Sequence, residues 1–309
     1  MKVAVLKGGR SLERGVSLRS GARVEDALER LGHEVLPIDV GRDLVKRLIA
    51  ERPDVAFVAM HGVGGEDGTV QELLEILGIP FTGPGAAACA RCMDKVQAKY
   101  SIEEAALPTP AWFAFNQTAF RELGAADAFE EIEAGFGLPL VVKPAGQGSA
   151  LGVRFAGDPG AVPAAIVGAL SYDDRVLIER YVAGRELAVS ILDGEALPIV
   201  EAIPEQADLF NYEARYEIGR TRYVCPAVLG DAEADAVTAV ALHTWEALGC
   251  GGFARVDVML GGEGVGPQVL EVNSVPGLTD TSLLPIAAEA AGISFESFVE
   301  RALELALGE

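Results

Sequence analysis

The first eighty-odd residues alternate short apolar strand patterns with amphipathic helical patterns, and no other feature constrains the fold as strongly. Strands are predicted at 2–6, 34–40 and 54–60. Helices are predicted at 17–31, 43–50 and 69–77. Because a strand followed by a helix returns to lie parallel beside its predecessor, this alternation predicts an open, mostly parallel sheet.

The middle of the chain has a different pattern. A helix is predicted at 94–106, and it is stopped by Pro108 and Pro110. Strands are predicted at 138–143, 153–156 and 175–182. The first of these strands leads into a loop of small residues at 144–152. This segment is typical of a small α+β unit.

The last part of the chain combines strands and helices with one long irregular stretch. Strands are predicted at 186–192, 254–260 and 268–273. A helix is predicted at 232–248, and two helices close the chain. The stretch 203–226 contains four aromatic residues and predicts a lid, because long loops inside enzymes often close over the site. An ordered surface loop fits the same pattern nearly as well as a lid does.

Charge and hydropathy exclude several classes of protein. The chain has 25 basic and 46 acidic residues, a net charge of −21, which argues against a nucleic-acid-binding protein. No apolar run reaches the length that a membrane-spanning helix needs. The short apolar start leads directly into a turn, so we expect a cytoplasmic protein without a signal peptide.

The four cysteines include one C-x-x-C pair, Cys89 and Cys92, with no second pair and no nearby histidine. Zinc binding or redox chemistry is possible from this spacing. We favour small buried residues in a reducing compartment.

The two strands near the C-terminus carry polar side chains at alternate positions. Arg255 and Asp257 share one face of their strand, and Glu271 and Asn273 share one face of the next. If the turn between them is tight, Asp257 lies beside Glu271 and Arg255 beside Asn273. Oxygen ligands of this kind suit Mg²⁺ bound together with phosphates. A solvated polar sheet face is the alternative, and the spacing alone supports the two interpretations about equally.

Two lysines are candidates for phosphate binding. Lys143 ends an apolar strand directly before the small-residue loop, whose glycines allow backbone N–H groups to approach an anion. Lys95 follows Asp94 at a helix start, where a surface lysine is the ordinary interpretation. Neither the Walker pattern nor G-x-G-x-x-G occurs in the loop, so the signal comes from the lysine, the loop and the acidic hairpin together.

Two helix starts are candidates for amino-acid binding. Glu13 follows the first predicted strand, where it would repel a pyrophosphate but suit a substrate ammonium. A structural acid at the helix entry is the alternative. Ser282 precedes a helix whose N-terminus could hold a carboxylate, although Ser282 could equally be a simple cap.

These segments, in this order, resemble the ATP-grasp superfamily, and within it the D-alanine–D-alanine ligase family. The resemblance covers essentially the whole chain. It is carried by GGRSLERGVSLRSG, MHGVGGEDGTVQ, CMDK, VVKPAGQGSALG, VLIERYVAGRE, NYEARY, RVDVML and EVNSVPGLTDTSLLP.

The resemblance implies an ATP-grasp fold of α/β and α+β domains, with ATP between the central and C-terminal domains. It implies a Rossmann-like substrate domain at 1–84, a small central domain at 85–182, and a large domain at 183–309 with a lid at about 204–225. The implied reaction joins two D-alanines through an acyl phosphate, with release of ADP and phosphate, for peptidoglycan precursor synthesis. A homodimer is implied as well.

The resemblance also assigns roles residue by residue. It implies two Mg²⁺ ions, or Mn²⁺, on Asp257, Glu271 and Asn273. It implies nucleotide contacts from Lys95, Lys143, Glu179, Val182, Glu186 and Arg215. Substrate and transition-state contacts are implied for Glu13, Ser149, Tyr216, His61, Arg255, Gly277, Ser282 and Leu283.

Four positions depart from the family pattern. Arg215 occupies the position of an expected lysine, Gly15 that of an acid, Val63 that of an arginine and Ala150 that of a serine. None of them removes an implied metal ligand. A ligase of the same fold that uses D-lactate or D-serine as its second substrate is a close alternative, and a non-catalytic nucleotide-binding homologue is another. A nicotinamide oxidoreductase is disfavoured because the first turn lacks G-x-G-x-x-G.

Overall fold

The computed structural model describes residues 1–124, 137–204, 221–262 and 264–308. The first sheet is parallel, as predicted. Its order is β2 (Glu34–Asp39), β1 (Lys2–Lys7), β3 (Val55–Val58), and α1 (Arg14–Arg30), α2 (Leu44–Glu51) and α3 (Thr69–Leu77) follow the three strands in the chain. The central strand is fully buried from Val3 to Leu6, which explains its continuous apolar run.

Two short helices connect the first sheet to the second. They are α4 (Ala86–Met93) and α5 (Lys95–Glu104). Asp94 separates them, and its carboxylate accepts hydrogen bonds from the N–H groups of Val96 and Gln97, which caps α5. The sequence predicted α5 but not α4, because eight small and mixed residues give no clear helical period.

The second sheet has four antiparallel strands in the order β4 (Trp112–Asn116), β7 (Arg175–Arg180), β5 (Leu140–Pro144), β6 (Arg154–Ala156). Strand β4 was not predicted. Helix α6 (Gln117–Glu122) follows β4, and α7 (Val162–Ala169) packs its apolar face on the sheet. The predicted α+β unit is therefore present.

The third sheet is the largest. Its order is β11 (Thr221–Val224), β10 (Val200–Pro204), β8 (Gly184–Leu192), β12 (Phe253–Gly261), β13 (Pro267–Asn273), with β9 (Glu195–Ala196) paired to β8. Strands β10 and β11 occupy the two ends of the stretch predicted as irregular, so that prediction was wrong at its ends. The residues between them, 205–220, lie outside the described residues.

The third sheet is buried on both faces. One face packs against α8 (Asp231–Ala247) and against α4 and α5. The other packs against α9 (Leu283–Ala290), α10 (Phe295–Leu307) and the first sheet. Helices α4 and α5 thus share a core with the large sheet, and the predicted boundaries at 84 and 182 remain predictions. No helix in the described ranges has the length and hydropathy needed to cross a membrane.

Candidate active site

The β12–β13 hairpin has the predicted register. Asp257 pairs with Glu271 and Arg255 with Asn273. Arg255 donates two hydrogen bonds to Asp257, from Nε to Oδ1 at 2.7 Å and from Nη2 to Oδ2 at 2.8 Å. Asn273 donates from Nδ2 to Asp257 Oδ2 at 2.9 Å. The polar face is therefore a connected and largely buried network, unlike an ordinary solvated sheet face.

The donor chemistry of this network fits Mg²⁺. Asp257 and Glu271 supply carboxylate oxygens, and Asn273 supplies an amide oxygen. Within the described ranges, no group of three or more His, Cys, Asp or Glu residues could hold a metal by itself. A site of two carboxylates and one amide leaves coordination positions for water and phosphate, which is how Mg²⁺ is commonly bound beside nucleotides.

Lys95 is buried and faces the same network. Its ammonium lies 3.0 Å from Glu271 Oε2 and donates to the carbonyl oxygen of Gln147 at 2.8 Å. It therefore joins the start of α5 to the hairpin and to the small-residue loop. This position differs from that of the surface lysine that was the ordinary interpretation of the sequence.

Lys143 points from β5 towards β7, where it forms an ion pair with Glu179. The same carboxylate pairs with Lys99, a residue that sequence analysis missed. Burial would raise the pKa of Glu179, but the two ammonium groups outweigh it and hold the pKa below its usual value. Burial lowers the pKa of Lys99, although Glu179 opposes this. Lys99 follows Lys95 by one helical turn, a spacing that could have revealed it.

Glu13 is buried at the start of α1. Ser149 donates a hydrogen bond from Oγ to Glu13 Oε1. The backbones of two glycines crowd the other oxygen, since a Cβ on Gly62 would lie 2.6 Å from Oε2 and a Cβ on Gly148 would lie 2.9 Å from it. Burial first, and the nearby carboxylate of Glu66 second, raise the pKa of Glu13 to about 7.

His61 links three segments through a hydrogen-bonded chain. Its Nδ1 lies 3.0 Å from the carbonyl oxygen of Val275, and its Nε2 lies 2.9 Å from Ser20 Oγ. Ser20 Oγ also accepts from the N–H of Leu278 at 3.1 Å. Because a carbonyl oxygen only accepts, Nδ1 donates to the carbonyl oxygen of Val275. Ser20 was missed in the sequence because only tertiary contacts reveal it.

The loop before α9 is held by Ser282. This residue occupies the N-cap position but makes no side-chain hydrogen bond to the helix. Its Oγ instead accepts from the N–H of Thr279 at 3.0 Å. A Cβ on Gly277 would lie 2.7 Å from Ser282 Oγ, so the tight loop requires glycine there. The start of α9 at Leu283 is thus left without a side-chain cap, which favours a carboxylate ligand.

The predicted residues differ in how closely the structure brings them together. A small cavity is lined by residues from four separate parts of the chain, including Glu66, Lys95, Gly148, Glu271 and Asn273. Val182 lies in the connection between β7 and β8, and Glu186 lies on β8 opposite Ala202 and Met259. Arg215 and Tyr216 lie outside the described residues.

Two family patterns match the chain. The one described as "D-ala D-ala ligase C-terminus" matches residues 102–304, and "D-ala D-ala ligase N-terminus" matches 44–84. A D-alanine–D-alanine ligase from Moorella thermoacetica is 43% identical over 99% of both chains. One from Anaeromyxobacter dehalogenans is 44% identical over 98% of this chain and 96% of its own.

Solved structures agree with these relatives. A D-alanine–D-alanine ligase from Bacillus anthracis has a TM-score of 0.86 at 34% identity, covering 100% of this chain and 98% of that one. Its complex with ATP has a TM-score of 0.84 at 33% identity over the same shares. A D-Ala:D-Ser ligase from Enterococcus faecalis has a TM-score of 0.82 at 25% identity over 99% of both chains.

The fold and the similarities together define an ATP-grasp protein. The chain belongs to the D-alanine–D-alanine ligase family.

Proposed function

We propose that this protein joins two molecules of D-alanine to D-alanyl-D-alanine at the expense of ATP. The observation that carries the proposal is the convergence of an anion-binding group and an ammonium-binding group on one cavity. Lys95, Glu271 and Asn273 line it together with Gly148, and Gly148 lies against Glu13. Phosphoryl transfer to an amino acid requires these two kinds of group side by side.

The first step activates a carboxylate. A carboxylate is a poor acyl donor, so its oxygen takes the terminal phosphoryl group of ATP, and ADP leaves. Lys95 and Lys143 neutralise the triphosphate in this proposal, and Arg255 stabilises negative charge on the reacting oxygens. Mg²⁺ held by Asp257, Glu271 and Asn273 would supply further charge neutralisation.

The second step forms the peptide bond. The amine of the second D-alanine attacks the acyl phosphate, and phosphate leaves. Glu13 holds the ammonium of the first amino acid, with His61 orienting the substrate, while the N–H of Gly277 stabilises the oxyanion. Ser282 and the N–H of Leu283 receive the second carboxylate at the uncapped start of α9.

D-serine is the second candidate acceptor. The D-Ala:D-Ser ligase from Enterococcus faecalis shares the fold over 99% of both chains, so the fold alone does not choose the acceptor. We favour D-alanine because the chain is 43% identical to a ligase of that name. D-lactate would be distinguished by its pH profile, because a hydroxy acid need not lose an ammonium proton before attack.

Phosphate release tests the proposal. ATP, Mg²⁺ and D-alanine are expected to release phosphate and to form the dipeptide, while L-alanine does neither. The same assay with D-alanine plus D-serine or D-lactate measures the acceptor preference from the products. Nucleotide binding without release of phosphate would instead support a non-catalytic homologue. A chelator should stop turnover, and Mg²⁺ or Mn²⁺ should restore it.

The cellular role follows from the proposed product. D-alanyl-D-alanine is a building block of peptidoglycan precursors, so we propose a role in cell-wall synthesis in the cytoplasm. A homodimer is also proposed from the family resemblance, and sedimentation of the purified protein would test it.

A further inference from the structure

Glu179 contacts two ammonium groups at once, and the proposed reaction uses only one of them. One carboxylate oxygen pairs with Lys143 and the other with Lys99. The exposed fractions of the side chains are 3% for Glu179, 9% for Lys143 and 1% for Lys99. The three charges therefore form a buried group in which Lys99 lies deepest.

Lys99 is held from several directions. Besides Glu179, its ammonium donates to Thr109 Oγ1 and to the carbonyl oxygen of Val269 at 3.3 Å. Thr109 Oγ1 in turn donates to the same carbonyl at 2.8 Å. Helix α5, strand β13 and the segment between α5 and β4 thus fix Lys99 in place.

Lys143 is held differently. In the part of the chain that the structure describes, Glu179 is the one carboxylate that pairs with Lys143. Lys143 lies at the end of β5, next to the small-residue loop, and it retains more exposure than Lys99. Of the two lysines, it is the one with freedom to change partners.

A change of partner by Lys143 creates an electrostatic problem that Lys99 solves. A phosphate group attracts Lys143 away from Glu179. A buried carboxylate that loses its only counterion is strongly destabilised, because water cannot replace the lost partner. With Lys99 in place, Glu179 keeps a counterion throughout.

We propose that Lys99 is a positioning residue for nucleotide binding. It is the permanent counterion of Glu179, and it allows Lys143 to transfer its ion pair from Glu179 to the triphosphate. The proposal rests on the proposed function through the role given to Lys143. It predicts that Lys99 matters for the phosphates of the nucleotide and much less for the nucleoside.

Binding measurements separate this role from a purely structural one. We expect K99M to weaken binding of adenylyl imidodiphosphate with Mg²⁺ by at least about tenfold, because one partner of a buried ion pair is lost. Binding of adenosine, measured by competition, should change by less than about twofold, because adenosine does not draw Lys143 away. K99R keeps the positive charge and should retain most of the affinity for the triphosphate.

A second background supplies the rescue. In E179Q, the neutral amide needs no counterion, so adding K99M should change triphosphate affinity by less than about twofold. If K99M alone does not fold, the comparison of E179Q with the E179Q/K99M double variant still tests the proposal. K2M is the control, since Lys2 pairs with Glu51 at 2.8 Å and neither residue lines the cavity, and it should leave binding unchanged.

Three results would overturn the proposal. The first is equal loss of adenosine and triphosphate binding in K99M. The second is that K99R binds the triphosphate as poorly as K99M does. The third is that adding K99M to E179Q weakens triphosphate binding as much as K99M alone weakens it in the wild type. In turnover, K99M should raise the KM for ATP and leave the KM for D-alanine unchanged. If wild-type protein binds the triphosphate but releases no phosphate, the proposed function fails while these binding tests still decide the role of Lys99.

Discussion

The proposed nucleotide end and the proposed amino-acid end of the candidate site are built from different interactions. At the nucleotide end, three carboxylates each pair with a lysine or an arginine, in Asp257–Arg255, Glu271–Lys95 and Glu179–Lys143. At the amino-acid end, Glu13 contacts the hydroxyl of Ser149. Within the described ranges, no lysine or arginine forms an ion pair with Glu13, and the other contacts there come from hydroxyl, imidazole and backbone groups.

In the proposed function, this difference suits one site to two ligands of opposite charge. In the proposed function, the lysines at the nucleotide end would exchange a carboxylate partner for a phosphate. At the other end, the pKa of Glu13 is raised to about 7 by burial and by Glu66. In the proposed function, a substrate ammonium would supply a positive charge beside Glu13, so this end would select a cation.

The largest expected effect comes from removing charge at the nucleotide end. We expect Asp257→Asn or Glu271→Gln to lower kcat by at least about a hundredfold, because each removes a proposed anionic ligand for Mg²⁺. The fold should survive, since both changes are isosteric. Phosphate release measures the loss, and circular dichroism measures the fold.

Glu51→Gln is the control for these variants, because it neutralises a surface carboxylate that pairs with Lys2. Its kcat should equal that of the wild type. Wild-type turnover in Glu271→Gln would remove Glu271 from the metal site and would leave the nucleotide end without its defining feature.

The next effect concerns Glu13 and pH. Because an ammonium ligand favours the ionised carboxylate, D-alanine binding at the first site should weaken by up to about tenfold for each pH unit below 7. The affinity for Mg²⁺-bound nucleotide should change much less between pH 6 and 8, because Glu13 lies at the other end of the site. Calorimetric titration at several pH values compares the two ends directly. Equal pH dependence of the two ligand affinities would contradict the proposed difference between the ends.

Glu13→Gln tests the same carboxylate through stability. The pKa of Glu13 is raised from 4.5 to about 7 in the folded protein, so its ionisation destabilises the fold. This penalty is absent below pH 4.5, grows as the pH rises, and is complete above pH 7. Glu13→Gln should therefore raise Tm at pH 8 and change it little at pH 5. A Tm gain that is larger at pH 5 would be inconsistent with the raised pKa.

Regular periodicity explains which parts of the molecule could be predicted. The hairpin register was predicted correctly because side chains alternate across a strand, so Asp257 and Glu271 had to share a face once the turn was short. The parallel first sheet was predicted for a similar reason. Helix α4 and strand β4 were missed because short segments without a clear period give little local signal.

Long-range contacts explain the residues that were missed. Ser20 lies on α1, but its partners are His61 and Leu278, far away along the chain. Lys99 shares a carboxylate with Lys143, and a sequence does not show which lysine reaches a given acid. Pairing of this kind is a property of packing, whereas the strand and helix patterns are local.

The smallest expected effect comes from Ser20, which carries no charge. Ser20→Ala breaks the link between His61 and the N–H of Leu278 and leaves that buried N–H without its acceptor, at a cost of about 1–3 kcal/mol in stability. Because Leu278 follows Gly277, we expect kcat to fall by about tenfold while the KM for ATP stays unchanged. Ser171→Ala is the control, since the hydroxyl of Ser171 bonds to its own helix segment at the surface.

Ser20→Ala discriminates between the two ends because it alters only hydrogen bonds. If the amino-acid end depends on oriented neutral groups, the loss should appear in kcat and in the KM for D-alanine, and Ser20→Thr should recover part of it by restoring a hydroxyl. A rise in the KM for ATP in Ser20→Ala would instead show that the two ends are coupled through the loop that joins Asn273 to Ser282. The site would then be one continuous network and not two separate ends.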